Sequence, residues 1–145
     1  MRLPLHVDYA LRMLMHLGVQ DQKLTTISAT ADIYGISKNH LMKVADNLRQ
    51  LGYIETVRGR SGGLRLSMTP EEINIGTIVR TLEAGSALVE CFPGGSGGCL
   101  ISPSCRLKGI LAKAMEAFFE ELNRFTLADL INSNTPLRKA LLLED

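Results

Sequence analysis

The 145-residue chain predicts a mainly α fold with a small β-hairpin wing: a winged helix-turn-helix domain followed by a long C-terminal dimerisation helix. Three observations carry that prediction. Apolar residues recur at three- and four-residue spacing in successive segments before Gly52. Two short β-prone segments joined by a glycine-rich tip follow at once. A broad apolar stripe then runs to Phe125, after an irregular stretch that holds every cysteine of the chain.

In the first segment Leu3, Val7, Ala10, Leu11, Leu14 and Leu17 share one helical face, which leaves Asp8, Arg12 and His16 on a different one. Thr25 or Thr26 can cap a second, shorter helix through Tyr34. Gly35 permits a tight turn, and Ser37 caps a third helix running to about Leu51. Its buried stripe is Leu41, Val44, Ala45, Leu48 and Leu51, with Asn39, His40, Lys43, Asn47 and Gln50 left to face outward. Gly52 ends that helix. Tyr53–Arg58 and Leu64–Met68 read as two strands joined by Gly59–Gly63.

After Pro70 a short helix over Ile75–Glu83 puts Ile75, Ile78, Val79 and Leu82 on one face. The loop from Ala84 to Ser104 contains the run GGSGG and shows no periodicity. Ser102 as cap and Pro103 at the first helical position open a helix to about Phe125. Its stripe of Leu107, Leu111, Ala114, Phe118, Leu122 and Phe125 is widened by Ile110, Met115 and Phe119. So wide an arc needs cover from its own domain and from a second copy, and a homodimer is expected. Thr126 caps a last short helix, and the tail from Thr135 to Leu143 is apolar enough to pack. The chain thus divides into a winged-helix DNA-binding domain (1–83), a cysteine-bearing loop (84–104), and a dimerisation helix with its tail (105–145).

Composition excludes several classes. Apolar residues make up 46% of the chain and charged residues 21%, as in a folded globular protein and unlike a disordered or collagen-like one. Arg2, His6, Asp8, Arg12 and His16 interrupt the apolar opening, so no run there suits a bilayer or a signal peptide, and a cytoplasmic location is expected with no membrane partner. The net charge of +1 hides an asymmetry: residues 1–70 carry nine Lys/Arg against five Asp/Glu, and residues 71–145 carry seven against ten. A basic front half suits a phosphate-rich partner. No nucleotide-binding glycine motif and no pair of catalytic bases stands out, so an enzyme is not expected.

In a winged helix-turn-helix the second helix of the pair enters the major groove, where base edges carry a distinct donor and acceptor code. Ser37, Lys38, Asn39, His40, Lys43 and Asn47 on the third helix are the candidate readers of double-stranded DNA. At the wing tip Arg58 and Arg60, with Ser61 and Gly62, can approach phosphates or a narrow minor groove.

Cys91, Cys99 and Cys105 are separated by seven and five residues, which is neither the paired spacing of a zinc ribbon nor that of a finger. Their odd count and confinement to fifteen residues argue against a secreted disulfide framework. Thiolates in such a loop can wrap an iron-sulfur cluster, and Cys105 in the first turn of a helix gains from its positive end, with Arg106 and Lys108 nearby. Three free cysteines remain the alternative on spacing alone.

The opening MRLPLHVDYALRML, the segment YGISKNHLMKVADNLRQLGYI, the wing VRGRSGGLRL, the pattern C-x7-C-x5-CRLK before a long helix, and FTLADL together resemble the Rrf2 family of bacterial regulators over nearly the whole chain. Within it the likeness is nearest to the nitric-oxide-sensing repressors. The resemblance implies a homodimer crossed through the long helices, an AT-rich palindromic operator, and ligation of an iron-sulfur cluster by Cys91, Cys99 and Cys105. It also implies that the fourth ligand is a first-helix carboxylate of the opposite subunit, where Asp8 stands. His6, His16 and His40 lie outside the cysteine loop, whereas the cluster-biogenesis branch would place a histidine within it. A 4Fe-4S cluster is favoured over 2Fe-2S. A regulator that senses iron supply or oxidants is the alternative within this class, and an iron-sulfur electron carrier is the alternative outside it.

Overall fold

A proline disfavours helical backbone in the residue before it, and Leu3 precedes Pro4. The first helix, α1 (Leu5–Val19), accordingly begins after Pro4 rather than at Leu3. The computed structural model describes residues 2–142. They form two compact units, one comprising the chain up to Ile73 together with the chain from Thr126 onward, the other Asn74–Phe125.

The first unit contains α1, α2 (Ile27–Tyr34), α3 (Lys38–Gln50), strands β1 (Ile54–Val57) and β2 (Gly63–Leu66), and two C-terminal helices numbered below. The Thr26 side chain caps α2 by accepting the Ala29 amide proton at 3.0 Å. Gly35 closes α2 at φ 65, a left-handed conformation that glycine adopts without strain. Two residues later Ser37 caps α3 by accepting from the His40 amide at 3.3 Å. The expected helix, turn, helix order is therefore present, with its caps where the sequence puts them.

β1 and β2 pair antiparallel from Ile54↔Leu66 to Val57↔Gly63. The ladder is shorter than Tyr53–Arg58 and Leu64–Met68, and β2 starts one residue early because Gly63 pairs with Val57. Thr25 extends the ladder with a bridge to Leu64, bonding it at 2.9 and 2.7 Å. Arg65 and Glu55 face one another across the strands at 2.6 Å.

The second unit holds α4 (Ile75–Glu83) and α5 (Arg106–Asn123). Asn74 caps α4 through its side chain, and Arg80 of α4 grips Glu116 of α5 with a two-pronged bond at 2.8 and 2.9 Å while lying 4.4 Å above the Phe119 ring. The long helix starts later than expected. Ser102–Ser104 is a separate 3-10 turn with Pro103 inside it, Cys105 is extended (φ −82, ψ 110), and α5 follows. Cys105 is thus the N-cap residue of α5 and not part of its first turn. Of the α5 side chains only Phe119 is buried, while Leu107 and Ile110 are more than half exposed.

The chain returns to the first unit with α6 (Leu127–Ile131), where Asp129 accepts the Thr126 amide at 2.8 Å, and α7 (Thr135–Leu142), which buries Leu141. Packing of the tail is therefore seen to Leu142; Leu143 lies outside the described residues. Among the described residues no helix is long and apolar enough to cross a membrane.

α1 is the centre of the first unit, touching α3, β2, α6 and α7. Val7, Ala10 and Leu14 are fully buried, as the stripe predicts, whereas Leu11 is only half-buried, and Met13 and His16, which lie outside the stripe, are fully buried too. The face of Asp8, Arg12 and His16, distinct from the apolar stripe, is nonetheless covered at His16 because α1 is packed on more than one side. His16 is accommodated by two hydrogen bonds, its ring Nδ1 pairing with Thr30 Oγ1 at 2.8 Å and its ring Nε2 accepting from the Gln20 side-chain amide at 3.2 Å.

Burial lowers the His16 pKa below its ordinary value of 6.5. The folded state therefore binds fewer protons than the unfolded chain once the pH falls below that value, and the stability present above it declines toward the lowered folded pKa. Urea unfolding at about pH 7.5 and about pH 5.5 should show this loss, and His16→Gln should lose less over the same interval. Equal pH dependence in the two proteins would remove His16 as the cause.

Candidate nucleic-acid interface and thiolate site

α3 buries Leu41, Val44, Ala45 and Leu48. Helical geometry then sets which residues look away from the core. Ser37, Lys38, Asn39 and Lys43 are exposed. His40 and Asn47 are only half exposed, because α1 reaches them. The His6 ring nitrogen Nε2 bonds Asn47 Oδ1 at 3.0 Å. The His40 ring meets the Tyr9 edge at 4.7 Å between centroids and stacks near His6 at 6.2 Å. The sequence stripe missed Met42, which is 46% exposed on the same side as Lys38 and Lys43. Its apolar side chain gave no reason to set it apart from the core residues beside it.

The wing tip exposes Arg58, Arg60 and Ser61. The Gly62 amide donates to the Gly59 carbonyl at 3.0 Å and closes the turn. A Cβ on Gly62 would collide with the Val57 carbonyl oxygen and crowd that of Gly59 at 2.9 Å, so this position admits no side chain without reshaping the tip. The two arginines are thus held on a tight backbone turn.

Asp8 lies on α1 with its carboxylate gripped by the Arg12 guanidinium at 3.0 and 3.1 Å. Arg12 also sits 5.7 Å from the ring centres of both Tyr9 and Tyr34. Tyr34 donates its hydroxyl to the Arg12 carbonyl at 2.8 Å, and burial pushes its pKa up to about 12, so it remains a donor at neutral pH. Asp8 keeps more than a third of its side chain exposed. The ion pair therefore holds the carboxylate at the surface without sealing it in.

Cys91, Cys99 and Cys105 are unpaired and half-buried in the second unit. The segment that carries them has no helix or strand between Ala84 and Ile101, being held by turns such as Gly95 N–H to the Phe92 carbonyl at 2.9 Å and Gly97 N–H to the Glu90 carbonyl at 2.9 Å. Cys105 borders a cavity of about 600 Å³ walled by Phe92, Pro93, Met115 and Phe119, with Lys108 and Glu83 among its polar neighbours. Burial raises the Glu83 pKa. Among the described residues no three His, Cys, Asp or Glu side chains come together as a metal-holding group. The donor chemistry nevertheless fits an iron-sulfur cluster: three soft thiol ligands on one segment, one at the positive end of an eighteen-residue helix beside open space.

The chain matches the Rrf2 family model, described as an iron-dependent transcriptional regulator, over residues 4–133. It is 47% identical over 142 residues to the HTH-type transcriptional regulator NsrR of Bacillus licheniformis, covering 97% of this chain and 99% of the relative. Its identity to the HTH-type transcriptional regulator NsrR of Shouchella clausii is 46% over 142 residues, covering 97% and 95%. The solved structure of T. potens IscR superposes with a TM-score of 0.73 at 23% identity, covering 94% of this chain and 90% of that one, which speaks for the winged-helix fold.

Because Gly62 is fixed by close backbone approach, Gly62→Ala should disrupt the tip alone. Amide exchange measured by NMR should quicken at Gly62 while the amides of α1 and α3 keep their protection and global stability moves by no more than about 0.5 kcal/mol. Unchanged protection at Gly62 would show that the turn tolerates a Cβ.

Proposed function

The chain belongs to the Rrf2 family and is a DNA-binding transcriptional regulator of that type, and on that premise we propose that it is a dimeric cytoplasmic repressor whose operator binding depends on an iron-sulfur cluster and is relieved by nitric oxide. One observation carries the reading: α1 bears both the exposed carboxylate of Asp8 and the contacts of His6 and Tyr9 to the reader helix α3. A ligand on Asp8 would therefore act on the element that touches the reader residues.

In this proposal Cys91, Cys99 and Cys105 with Asp8 of the partner subunit would hold a cluster, 4Fe-4S in preference to 2Fe-2S, whose iron would supply the centre that reacts with nitric oxide. Residues 84–104 are the ligand loop, residues 105–145 carry the dimerisation helix, and residues 1–83 bind DNA. Arg12 orients the Asp8 carboxylate outward and takes up its charge when Asp8 is released. His6 and Tyr9 pass any displacement of the start of α1 to Asn47 and His40. Lys38, Asn39 and Lys43, capped by Ser37, face the bases and phosphates of an AT-rich palindrome, and Arg58 and Arg60 follow the backbone beside the tip of Ser61 and Gly62. Moving a dimer from mostly competent to mostly incompetent requires a differential of about 5 kcal/mol, within reach of a broken metal-ligand bond that ties two subunits together. The exposed apolar residues of α5, Leu107 and Ile110, favour the dimer. The description of the family as iron-dependent favours a second reading in which the same architecture senses iron supply.

Anaerobic purification followed by visible absorbance and by iron and sulfide counts tests the cofactor, and titration with nitric oxide or with an iron chelator during an operator-binding assay separates the two signals. Colourless protein lacking iron and sulfide would overturn the cluster reading. Cys105→Ser should lose the absorbance, and Asp8→Ala should keep the fold while weakening cluster-dependent operator affinity; an Asp8→Ala protein matching the wild type in affinity and nitric oxide response would sink the bridging ligand.

For the wing, Arg60→Ala should weaken binding uniformly across sequences and flatten the slope of log affinity against log salt by about one unit for each phosphate that the arginine neutralises. A base-selective weakening with an unchanged slope would place Arg60 against a base.

A further inference from the structure

The outward side of α3 has fewer polar readers than its sequence suggests. Asn47 is bonded to His6 through Oδ1, and His40 is packed against Tyr9. What remains exposed through the first two turns is Lys38, Asn39, Met42 and Lys43. Met42 is the apolar member of that set and lies outside the core beneath α3, which Leu41, Val44, Ala45 and Leu48 fill.

Met42 lies one helical turn beyond Lys38 and Asn39, so the three point to the same side of α3. A helix presented to a major groove meets donors, acceptors and one apolar feature, the C5-methyl of thymine. A long, unbranched and polarizable thioether can adjust its rotamers to cover such a methyl. The flanking lysines draw the helix to the phosphates and carry no sequence information by charge alone.

We propose that Met42 is a specificity-determining residue that packs against a thymine C5-methyl in the major groove, giving the reader helix a preference for thymine that its polar residues do not supply. The inference rests on the reading of this chain as a DNA-binding regulator with α3 as its reader. It assigns the contact by chemistry: a methyl group on a base edge, present in thymine and absent from uracil, with hydrogen-bonding groups otherwise the same.

That difference supplies the test. The full-length homodimer, purified anaerobically, selects a duplex from a randomised pool. The selected duplex is then resynthesised with deoxyuridine replacing thymidine at one symmetric pair of positions at a time. At one such pair the wild type should bind about fourfold more weakly for each half-site, the equivalent of one methyl left uncovered. Met42→Ala should bind the thymine duplex more weakly by a similar factor and be indifferent to uracil at that pair. Met42→Leu, which keeps an apolar side chain, should retain sensitivity to uracil. Tight wild-type binding that is indifferent to uracil at every position, or a Met42→Ala protein as sensitive as the wild type, overturns the thymine contact and leaves the regulator reading standing. A wild type that selects no duplex overturns the regulator reading and this inference with it.

Discussion

The first unit depends on the burial of α1. Val7, Ala10, Met13 and Leu14 have no exposed surface, and α3, β2, α6 and α7 all pack on this one helix. Each large apolar side chain withdrawn from water is worth about 2 kcal/mol, so loss of two would remove a substantial part of the margin that ordinarily keeps a domain folded. The same constraint decides the fate of polar residues on α1. His16 lies where the cover is complete and has to be neutral and hydrogen-bonded. Asp8 and Arg12 lie where the cover ends, so they pair with one another and meet water.

That gradient along α1 puts unlike chemistries on one rigid element. Its middle anchors the core, while its start carries His6 and Tyr9 against α3 and Asp8 near the surface. A helix held so firmly in the middle does not deform freely, and a force on Asp8 is felt by residues one turn or less away. Asn47 and His40 receive it through a hydrogen bond and an aromatic edge, both sensitive to displacements of a few tenths of an ångström. The coupling proposed between ligand and reader therefore needs no long chain of residues, only the short span of α1 from His6 to Arg12.

Much of this was legible in the sequence because it rests on local rules. Ser37, Thr26 and Gly35 cap and close their helices where residue type alone puts them. The stripes of α1 and α3 give most of the core residues, and the hairpin follows from its glycines. Met13, however, is buried outside the α1 stripe, and Leu51, counted in the α3 stripe, is the C-cap residue and is exposed because the helix ends before it. The misreadings have different causes. A periodic stripe identifies one buried face, whereas α1 is covered on several and therefore takes in His16. The flank of α3 is decided by what the start of α1 brings to it, which no spacing within α3 could reveal. Spacing leaves Met42 out of the buried stripe that contains Leu41, but its apolar character keeps it off the outward-facing set, where the structure puts it. Cys105 escapes its expected place in the helix because the 3-10 turn around Pro103 ends before α5 begins.

The cysteine segment was the least legible part, for a physical reason. Its turns satisfy backbone groups locally, yet its glycines and exposed residues bury little apolar surface, so the sequence contains little energy to choose one conformation over another. Ordering such a segment costs about 1 to 2 kcal/mol per residue in backbone entropy, which a few turn hydrogen bonds cannot offset. Bonds to an external group can. In the proposed regulator this makes the segment suited to report on that group, because its order would be borrowed from the ligand bonds and returned when they break. The helices on either side are tied to one another independently of the loop by the Arg80–Glu116 pair and the stacking of Arg80 on Phe119. A signal could then act on the ligand loop without unfolding the unit that carries it.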